Sequence, residues 1–119
     1  VLVRELLPLR RFEVPASDFP IGREYRVFLL GGEVLAHGYY WPYTGDWAHL
    51  SADEEAAMLA VARAAASRLA TPLVSVDIGQ LERGDWAVIE VGDPQFSGLS
   101  FIPPRVLWAA LARRLAAWR

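Results

Sequence analysis

The sequence predicts an α+β fold: an antiparallel sheet built from β-hairpins and covered by two helices. Two pairs of alternating apolar segments each flank a short turn that contains glycine, which is typical of β-hairpins. A segment with apolar residues at helical spacing follows each pair. The order is therefore β, ββ, α, ββ, α, with hairpins rather than parallel crossovers. A chain of 119 residues suffices for one small domain, so we expect a single domain over residues 1–119.

The composition excludes several classes of protein. With 54% apolar and 22% charged residues, the chain can form a packed core and is not expected to be disordered. The net charge of −2 argues against non-specific nucleic-acid binding, and no apolar run is long enough to span a bilayer. We expect a cytoplasmic protein that binds neither nucleic acid nor membrane. Without cysteine, zinc–thiolate sites and disulfides are excluded, and all 12 basic residues are arginine.

The chain opens with a short apolar segment, Val1–Leu7, which predicts a strand that ends at Pro8. This segment is too short and too charged to be a signal peptide. Because it begins with Val rather than Met, we expect a strand at the cut edge of a longer protein. Residues Leu9–Gly22 are expected to form a loop with a short strand at Phe12–Val14.

The first hairpin joins Glu24–Leu30 to Glu33–Tyr40 through Gly31-Gly32, where glycine allows positive φ. The short loop sets a register that places Arg26 opposite His37. Arg26 is then either a solvated strand residue or part of a site. The other face of this hairpin is predicted to be apolar and aromatic, and it comprises Tyr25, Val27, Leu29, Val34 and Ala36.

Both predicted helices carry signals at their N-termini. Ser51 and Glu54 form a capping box that opens a helix extending to about Leu69. Pro104 suits the first turn of the second helix. The aromatic loop Trp41–Leu50 precedes the first helix and forms either a lid over the core or a stacking surface for a substrate or partner. The predicted apolar stripes are Met58, Val61, Ala62, Ala65 and Leu69 in the first helix, and Leu107, Trp108, Leu111, Leu115 and Trp118 in the second.

The second hairpin places two carboxylates opposite each other. If Leu81 pairs with Trp86 across the turn, Asp77 faces Glu90. Directly opposed like charges destabilise a sheet, and a divalent cation between them would remove that repulsion. Hard oxygen ligands suit Mg²⁺ or Mn²⁺. The alternatives are a solvated surface pair or a register that differs by one residue. The opposite face is a predicted core face on which Val74, Val76 and Ile78 meet Ala87, Ile89 and Val91.

Three features resemble those of a known family. They are the segments Val3–Pro8 and Glu24–Ala36, and the carboxylate hairpin with its tail Val88–Leu99. In this order they resemble the hinge strand, the arginine hairpin and the metal-binding end of the C-terminal lobe of the ATP-grasp fold. The amino-acid sequence of the tail is similar to that of the arginine-and-two-lysines clade of ATP-grasp ligases.

The resemblance implies a set of site residues. Asp77 and Glu90 match the two carboxylates that hold Mg²⁺ (or Mn²⁺) on ATP phosphates, and Arg26 matches the phosphate-contacting, catalytic arginine. The hinge residues expected to bracket adenine are Arg4, Glu5, Leu6 and Leu7. The family's asparagine position falls on Gly92, so either Asp93 acts as a metal ligand or one ligand is missing.

The resemblance implies an ATP-dependent carboxylate–amine ligase that works through an acyl phosphate and modifies peptides or proteins. The expected partners are ATP and a carboxylate substrate. Phosphate-binding lysines of such enzymes lie on an N-terminal lobe, which we expect this chain to lack and to receive from a missing segment or a partner chain. Alone, the chain is expected to be inactive. Two alternatives remain: a non-catalytic nucleotide- or protein-binding module with the same fold, or an interaction protein whose last helix forms a homodimer or binds another partner.

Overall fold

Four strands form the antiparallel sheet that organises the molecule, in the order β4-β3-β5-β6. A computed structural model describes residues 1–43 and 45–118. Its elements are β1 (Arg11–Phe12), β2 (Ile21–Gly22), β3 (Glu24–Leu30), β4 (Glu33–Tyr39), α1 (Ala52–Ala66), β5 (Leu73–Gln80), β6 (Trp86–Gly92) and α2 (Pro104–Ala117). Short 3₁₀ turns occupy Asp46–Ala48 and Pro94–Phe96, and β1 pairs with β2 beside the main sheet. The predicted α+β fold with an antiparallel sheet and two helices is confirmed.

Helix α1 covers one face of the sheet. The Ser51 hydroxyl accepts a hydrogen bond from the Glu54 backbone while the Glu54 carboxylate accepts one from the Ser51 backbone, so the predicted capping box is present. The helix ends at Ala66 rather than near Leu69, because the last turn tightens and the Leu69 N–H bonds to the Ala66 carbonyl. The buried residues on this side are Tyr25, Val27, Leu29, Tyr39, Met58, Ala62, Ala66, Val74, Val76 and Ile78.

Helix α2 covers part of the opposite face and begins at Pro104, as predicted. The buried residues on this side are Phe28, Leu30, Leu35, Ala36, Ile102 and Leu107. The apolar stripe predicted for α2 is only partly covered, because Trp108 is 61% exposed and Trp118 50% exposed. Helix α2 therefore leaves part of its own apolar stripe exposed.

A β-bulge in β4 shifts the first hairpin. Leu29 pairs with Val34 as predicted, but beyond the bulge Arg26 pairs with Gly38. The predicted pairing of Arg26 with His37 is therefore wrong by one residue. Ala36 packs on the α2 side rather than with the α1 core.

A second bulge lies in the central hairpin. Asp77 pairs with Glu90, as predicted, but the next pair is Ile78 with Val88. Ile89 is thus an extra residue. The core face predicted for β6 is wrong in part, since Val88 and Trp86, rather than Ile89 and Ala87, pack against the α1 core.

The predicted strand at Val1–Leu7 is not formed, because these residues pair with no strand in the described part of the chain. A strand requires a partner edge for its N–H and C=O groups. The chain first joins the sheet at Pro8, whose carbonyl accepts from the Glu82 N–H at 2.9 Å, and at Arg10, whose N–H donates to the Gln80 carbonyl at 2.8 Å. Among residues 1–43 and 45–118, no helix is long and apolar enough to cross a membrane.

Candidate functional site

The sheet brings three predicted site residues side by side. Arg26 on β3 pairs with Asp77 on β5, and Asp77 pairs with Glu90 on β6. We call these three residues the polar band, since they cross three neighbouring strands on one face. The sequence predicted the pairing of the carboxylates but did not predict the ion pair between Arg26 and Asp77.

Arg26 and Asp77 form a two-bond ion pair. The Arg26 Nε donates to Asp77 Oδ1 at 2.8 Å and Nη2 donates to Oδ2 at 2.7 Å. Both side chains are largely buried, with 12% of Arg26 and 7% of Asp77 exposed. The hydrogen bonds to Asp77 raise the pKa of Arg26 above its ordinary value and outweigh the effect of burial. The planar guanidinium thus matches both carboxylate oxygens.

Two further contacts hold the Arg26 guanidinium. Its Nη1 donates to the Gly98 carbonyl at 2.8 Å, and its carbon atom lies 4.9 Å from the centre of the Tyr40 ring, in a cation–π contact. Sequence reasoning missed both partners. The sequence places Tyr40 only at the end of the first hairpin, and nothing in the local pattern points to Gly98.

Glu24 adds a carboxylate to the same face. It lies two residues before Arg26 on β3 and pairs with Gly79. Burial raises the pKa of Glu24, and the negative charge of Asp77 raises it further, although contacts with Trp41 and Arg11 act in the opposite direction. This face therefore concentrates negative charge beside the polar band. The alternation with Arg26 along β3 could have identified Glu24 from the sequence.

Glu90 and Asp93 differ from Asp77 in their surroundings. Both are exposed. The Asp93 carboxylate accepts a hydrogen bond from the Gln95 N–H at 2.9 Å, which caps the following 3₁₀ turn. Asp93 follows Gly92, the last paired residue of β6, and lines a pocket of about 450 Å³. The Asp93 side chain thus serves as a local cap, whereas Glu90 lies directly in the polar band.

The polar band suits a cation that also binds phosphates better than a cation held by protein ligands alone. In residues 1–43 and 45–118, no three histidine, aspartate or glutamate side chains are close enough to hold a metal ion. An ionised carboxylate has about four lone-pair sites, and Arg26 occupies two of those on Asp77. Mg²⁺ is commonly held by one or two carboxylates together with substrate phosphates. Asp77 and Glu90 therefore fit a cation carried by phosphates, and do not form a cage from protein ligands alone.

One residue of the hinge segment, Arg4, contacts the edge strand next to the polar band. The Arg4 guanidinium donates to the carbonyl of Ile89, the neighbour of Glu90 in the chain. Leu6 and Leu7 line a pocket of about 420 Å³. Glu5 is exposed. Of the predicted adenine-bracketing residues, Arg4 thus contacts β6, whereas Leu6 and Leu7 share their pocket with Glu82 of the β5–β6 turn.

The side chains of Leu9 and Ile89 form a small apolar surface over Gly79, two residues further along β5 from Asp77. We call this surface the apolar floor. A methyl group on Gly79 would approach Ile89 Cδ1 to 2.7 Å and Leu9 Cδ2 to 2.8 Å. The ends of these two side chains therefore lie over the Gly79 backbone and would have to shift to admit a larger residue. The sequence pattern assigns Ile89 to the other face, so this floor was not predicted.

Comparison with known proteins identifies the family of this chain. A family model of the ATP-grasp domain matches residues 1–111, so the chain belongs to the ATP-grasp family. Within that family, the matching model is the third family of the clade named for one arginine and two lysines. The antiparallel sheet with two helices is consistent with an ATP-grasp lobe, and the domain is ligase-like. A search of curated proteins found no match.

Proposed function

We propose that this chain forms the metal- and phosphate-binding lobe of an ATP-dependent carboxylate–amine ligase. The observation that carries the proposal is the polar band, in which one guanidinium and two carboxylates lie on adjacent strands. An arginine suits a transferring phosphoryl group, and opposed carboxylates suit its Mg²⁺ (or Mn²⁺). The apolar floor and the hinge segment lie beside the band and would border the nucleotide base.

The reaction proposed is the joining of a carboxylate to an amine with consumption of ATP. A carboxylate oxygen attacks the γ-phosphorus, the bond to the bridging oxygen breaks, and ADP leaves. The amine nitrogen then attacks the acyl carbon, phosphate leaves, and the amine loses a proton. Arg26 would stabilise the charge on the transferred phosphoryl group, and Asp77 with Glu90 would hold the cation, which supplies charge neutralisation when bound. We further propose that the substrates are peptides or proteins.

Turnover would require a second lobe. A nucleoside triphosphate carries several negative charges, while the polar band contains one cationic side chain and two anionic ones. The chain has no lysine, and Arg26 is already paired with Asp77. The additional cationic groups would come from an N-terminal lobe or from a partner chain, as in a homodimer. Positioning of both substrates between two lobes would then supply much of the rate acceleration.

A second candidate is a binding module without catalysis. Two observations favour it: both Asp77 oxygens are engaged by Arg26, and Gly92 lies where a third metal ligand is expected. Such a module would bind Mg²⁺–nucleotide or a protein without forming ADP. A carboxylate-dependent release of ADP from ATP, measured with both lobes present, would separate the enzyme from the module.

The test of nucleotide binding is a thermal melt of this chain with Mg²⁺ and a nonhydrolysable ATP analogue. The proposal predicts an increase in Tm that requires both ligands and is lost in Glu90→Gln. Glu33→Gln is the matched control, since Glu33 is an exposed carboxylate at the start of β4, and it should retain the increase. An equal increase in Tm for all three proteins, or none at millimolar ligand (on the order of mM), would contradict the proposal.

A further inference from the structure

The ion pair between Arg26 and Asp77 occupies the same carboxylate that the proposed function assigns to a cation. Each Asp77 oxygen accepts one N–H of Arg26, at 2.8 and 2.7 Å. A divalent cation bound at Asp77 would lie close to the guanidinium, and two cations at such a distance repel each other. The closed pair therefore disfavours a cation that arrives alone.

We propose that Arg26 and the divalent cation exchange at Asp77, and that the exchange occurs when the cation arrives on a phosphate chain. Arg26 then leaves one anion and gains another, while Asp77 replaces the guanidinium by the cation. Neither charge is left buried without a partner, which would be strongly unfavourable. This inference rests on the proposed function for the assignment of Asp77 as a cation ligand.

The surroundings of Arg26 fit such an exchange. The Gly98 carbonyl at 2.8 Å and the Tyr40 ring at 4.9 Å hold the guanidinium from sides other than that of Asp77. These contacts can keep Arg26 near the polar band after its bonds to Asp77 break. Glu90 is exposed in the band and has no ion-pair partner among residues 1–43 and 45–118. It is thus available to the cation before the exchange.

The proposal predicts that removing Arg26 moves two affinities in opposite directions. In Arg26→Gln, free Mn²⁺ should bind about ten-fold or more tightly than in the wild type, because a positive charge next to the ligand has been removed. Mn²⁺ with inorganic triphosphate should bind about ten-fold or more weakly, because the phosphate chain has lost its guanidinium partner. A merely structural loosening of the site would weaken both.

The experiment is a titration of the full chain with Mn²⁺, followed by electron paramagnetic resonance, with and without inorganic triphosphate. Arg83→Gln is the matched control, since Arg83 forms an ion pair with Asp85 at 2.7 Å on the exposed turn. It should bind both ligands like the wild type. Adding Asp77→Asn to Arg26→Gln should abolish the gain in free Mn²⁺ affinity.

Unchanged or weaker binding of free Mn²⁺ by Arg26→Gln would overturn the exchange, and so would an equal gain in Arg83→Gln. If Arg26→Gln does not fold, Arg26→Lys decides: a lysine cannot grip both oxygens, so an intermediate gain is expected and no gain overturns the proposal. Failure of the proposed function would look different. Wild-type protein would then fail to bind Mn²⁺–triphosphate, whatever the effect of the substitution on free Mn²⁺.

Discussion

Asp77 and Glu90 lie directly opposite each other on β5 and β6, yet they have different surroundings. The Asp77 side chain is 7% exposed and bonded to Arg26 through both oxygens, whereas Glu90 is exposed. The two carboxylates would share a cation in the proposed site. Only one of them also stabilises the ligand-free fold, so substitution can separate binding from stability.

The first prediction concerns this separation. Asp77→Asn should lower the free energy of unfolding by about 3 kcal/mol, because it leaves the largely buried Arg26 without its anion. Glu90→Gln should change it by no more than about 0.5 kcal/mol, because Glu90 is exposed. Urea unfolding without cation measures both. If Glu90→Gln proved as destabilising as Asp77→Asn, the claim that only Asp77 stabilises the ligand-free fold would be wrong.

A second buried guanidinium ties the loop before α1 to the sheet. Arg23 is 6% exposed and donates to Trp47 O at 2.8 Å, His49 O at 2.5 Å and Gln80 Oε1 at 2.6 Å. It also donates to both oxygens of Glu54, at 2.5 and 3.0 Å. All its donors point at oxygen atoms, so its role is structural.

The second prediction is that Arg23→Lys destabilises the protein strongly. A lysine cannot reproduce the planar set of bonds: it has three N–H groups, so at least two of the acceptors would lose their partner in a buried site. We expect a loss of about 3 kcal/mol or more in urea unfolding. The control, Arg83→Lys, alters an exposed ion pair and should change stability by less than about 0.5 kcal/mol. Equal effects of the two substitutions would contradict the structural role of Arg23.

The third prediction is a loss of stability in acid that depends on Glu54. Hydrogen bonds from Arg23, and then from the Ser51 backbone, lower the pKa of Glu54 from 4.5 to about 2. Between these values the unfolded state binds more protons than the folded state. The contribution of Glu54 to stability is therefore fully present above pH 4.5 and falls as the pH drops towards 2.

Urea unfolding between pH 2 and 6 checks this prediction, with Glu54→Gln as the comparison (the range spans the pKa values of carboxyl groups, about 4 when unperturbed). The difference in stability between the wild type and Glu54→Gln should shrink as the pH falls. A difference that stays constant over this range would contradict the lowered pKa of Glu54.

The fourth prediction concerns the close approach of two backbone segments at Gly38. A methyl group there would lie 2.8 Å from Ile102 Cγ1 and 3.0 Å from the Phe101 carbonyl carbon. Gly38→Ala should therefore destabilise the protein by about 1–3 kcal/mol, since backbone must move. Gly98→Ala is the control, because its methyl group would meet only Arg26 Nη1 at 3.6 Å. The measurement is the free energy of unfolding, and a tolerated Gly38→Ala would refute the close approach.

Much of the fold could be predicted, because hairpins and helix caps are local. Gly31-Gly32 adopts positive φ as the turn requires, and the Ser51–Glu54 capping box forms. The pairing of Asp77 with Glu90 was predicted although the turn residues are paired differently, because the extra residue Ile89 restores the predicted register beyond the bulge.

The two bulges could not be predicted, because the central strand β5 is buried on both faces and gives no polar and apolar pattern from which the register can be read. In β5 the residues from Val74 to Gln80 are all buried, so polar and apolar alternation does not report which face a residue occupies. Leu35 and Ile89 are apolar and fit either face. The strand predicted at Val1–Leu7 failed for another reason: alternation is local, but a strand also needs a partner edge.

The candidate site was predictable in its members and not in its contacts. Asp77, Glu90 and Arg26 were identified from their spacing and family resemblance, and the structure aligns them across three strands. The bond of Arg26 to Gly98 joins residues far apart in the chain and depends on the path of the loop after β6. Such contacts require the tertiary structure.

The central claim is that a cation bound with phosphates lies between Asp77 and Glu90. The most direct measurement is the broadening of backbone amide resonances by Mn²⁺ in the presence of a nonhydrolysable ATP analogue, which reports distance from the cation. The claim predicts that amides around Asp77 and Glu90 broaden first. The backbone amides of His37 and Glu55, residues whose side chains pair at 2.6 Å on the α1 side of the sheet, should broaden last. Broadening that begins at His37 and Glu55, or that is equal on both faces of the sheet, would contradict the claim.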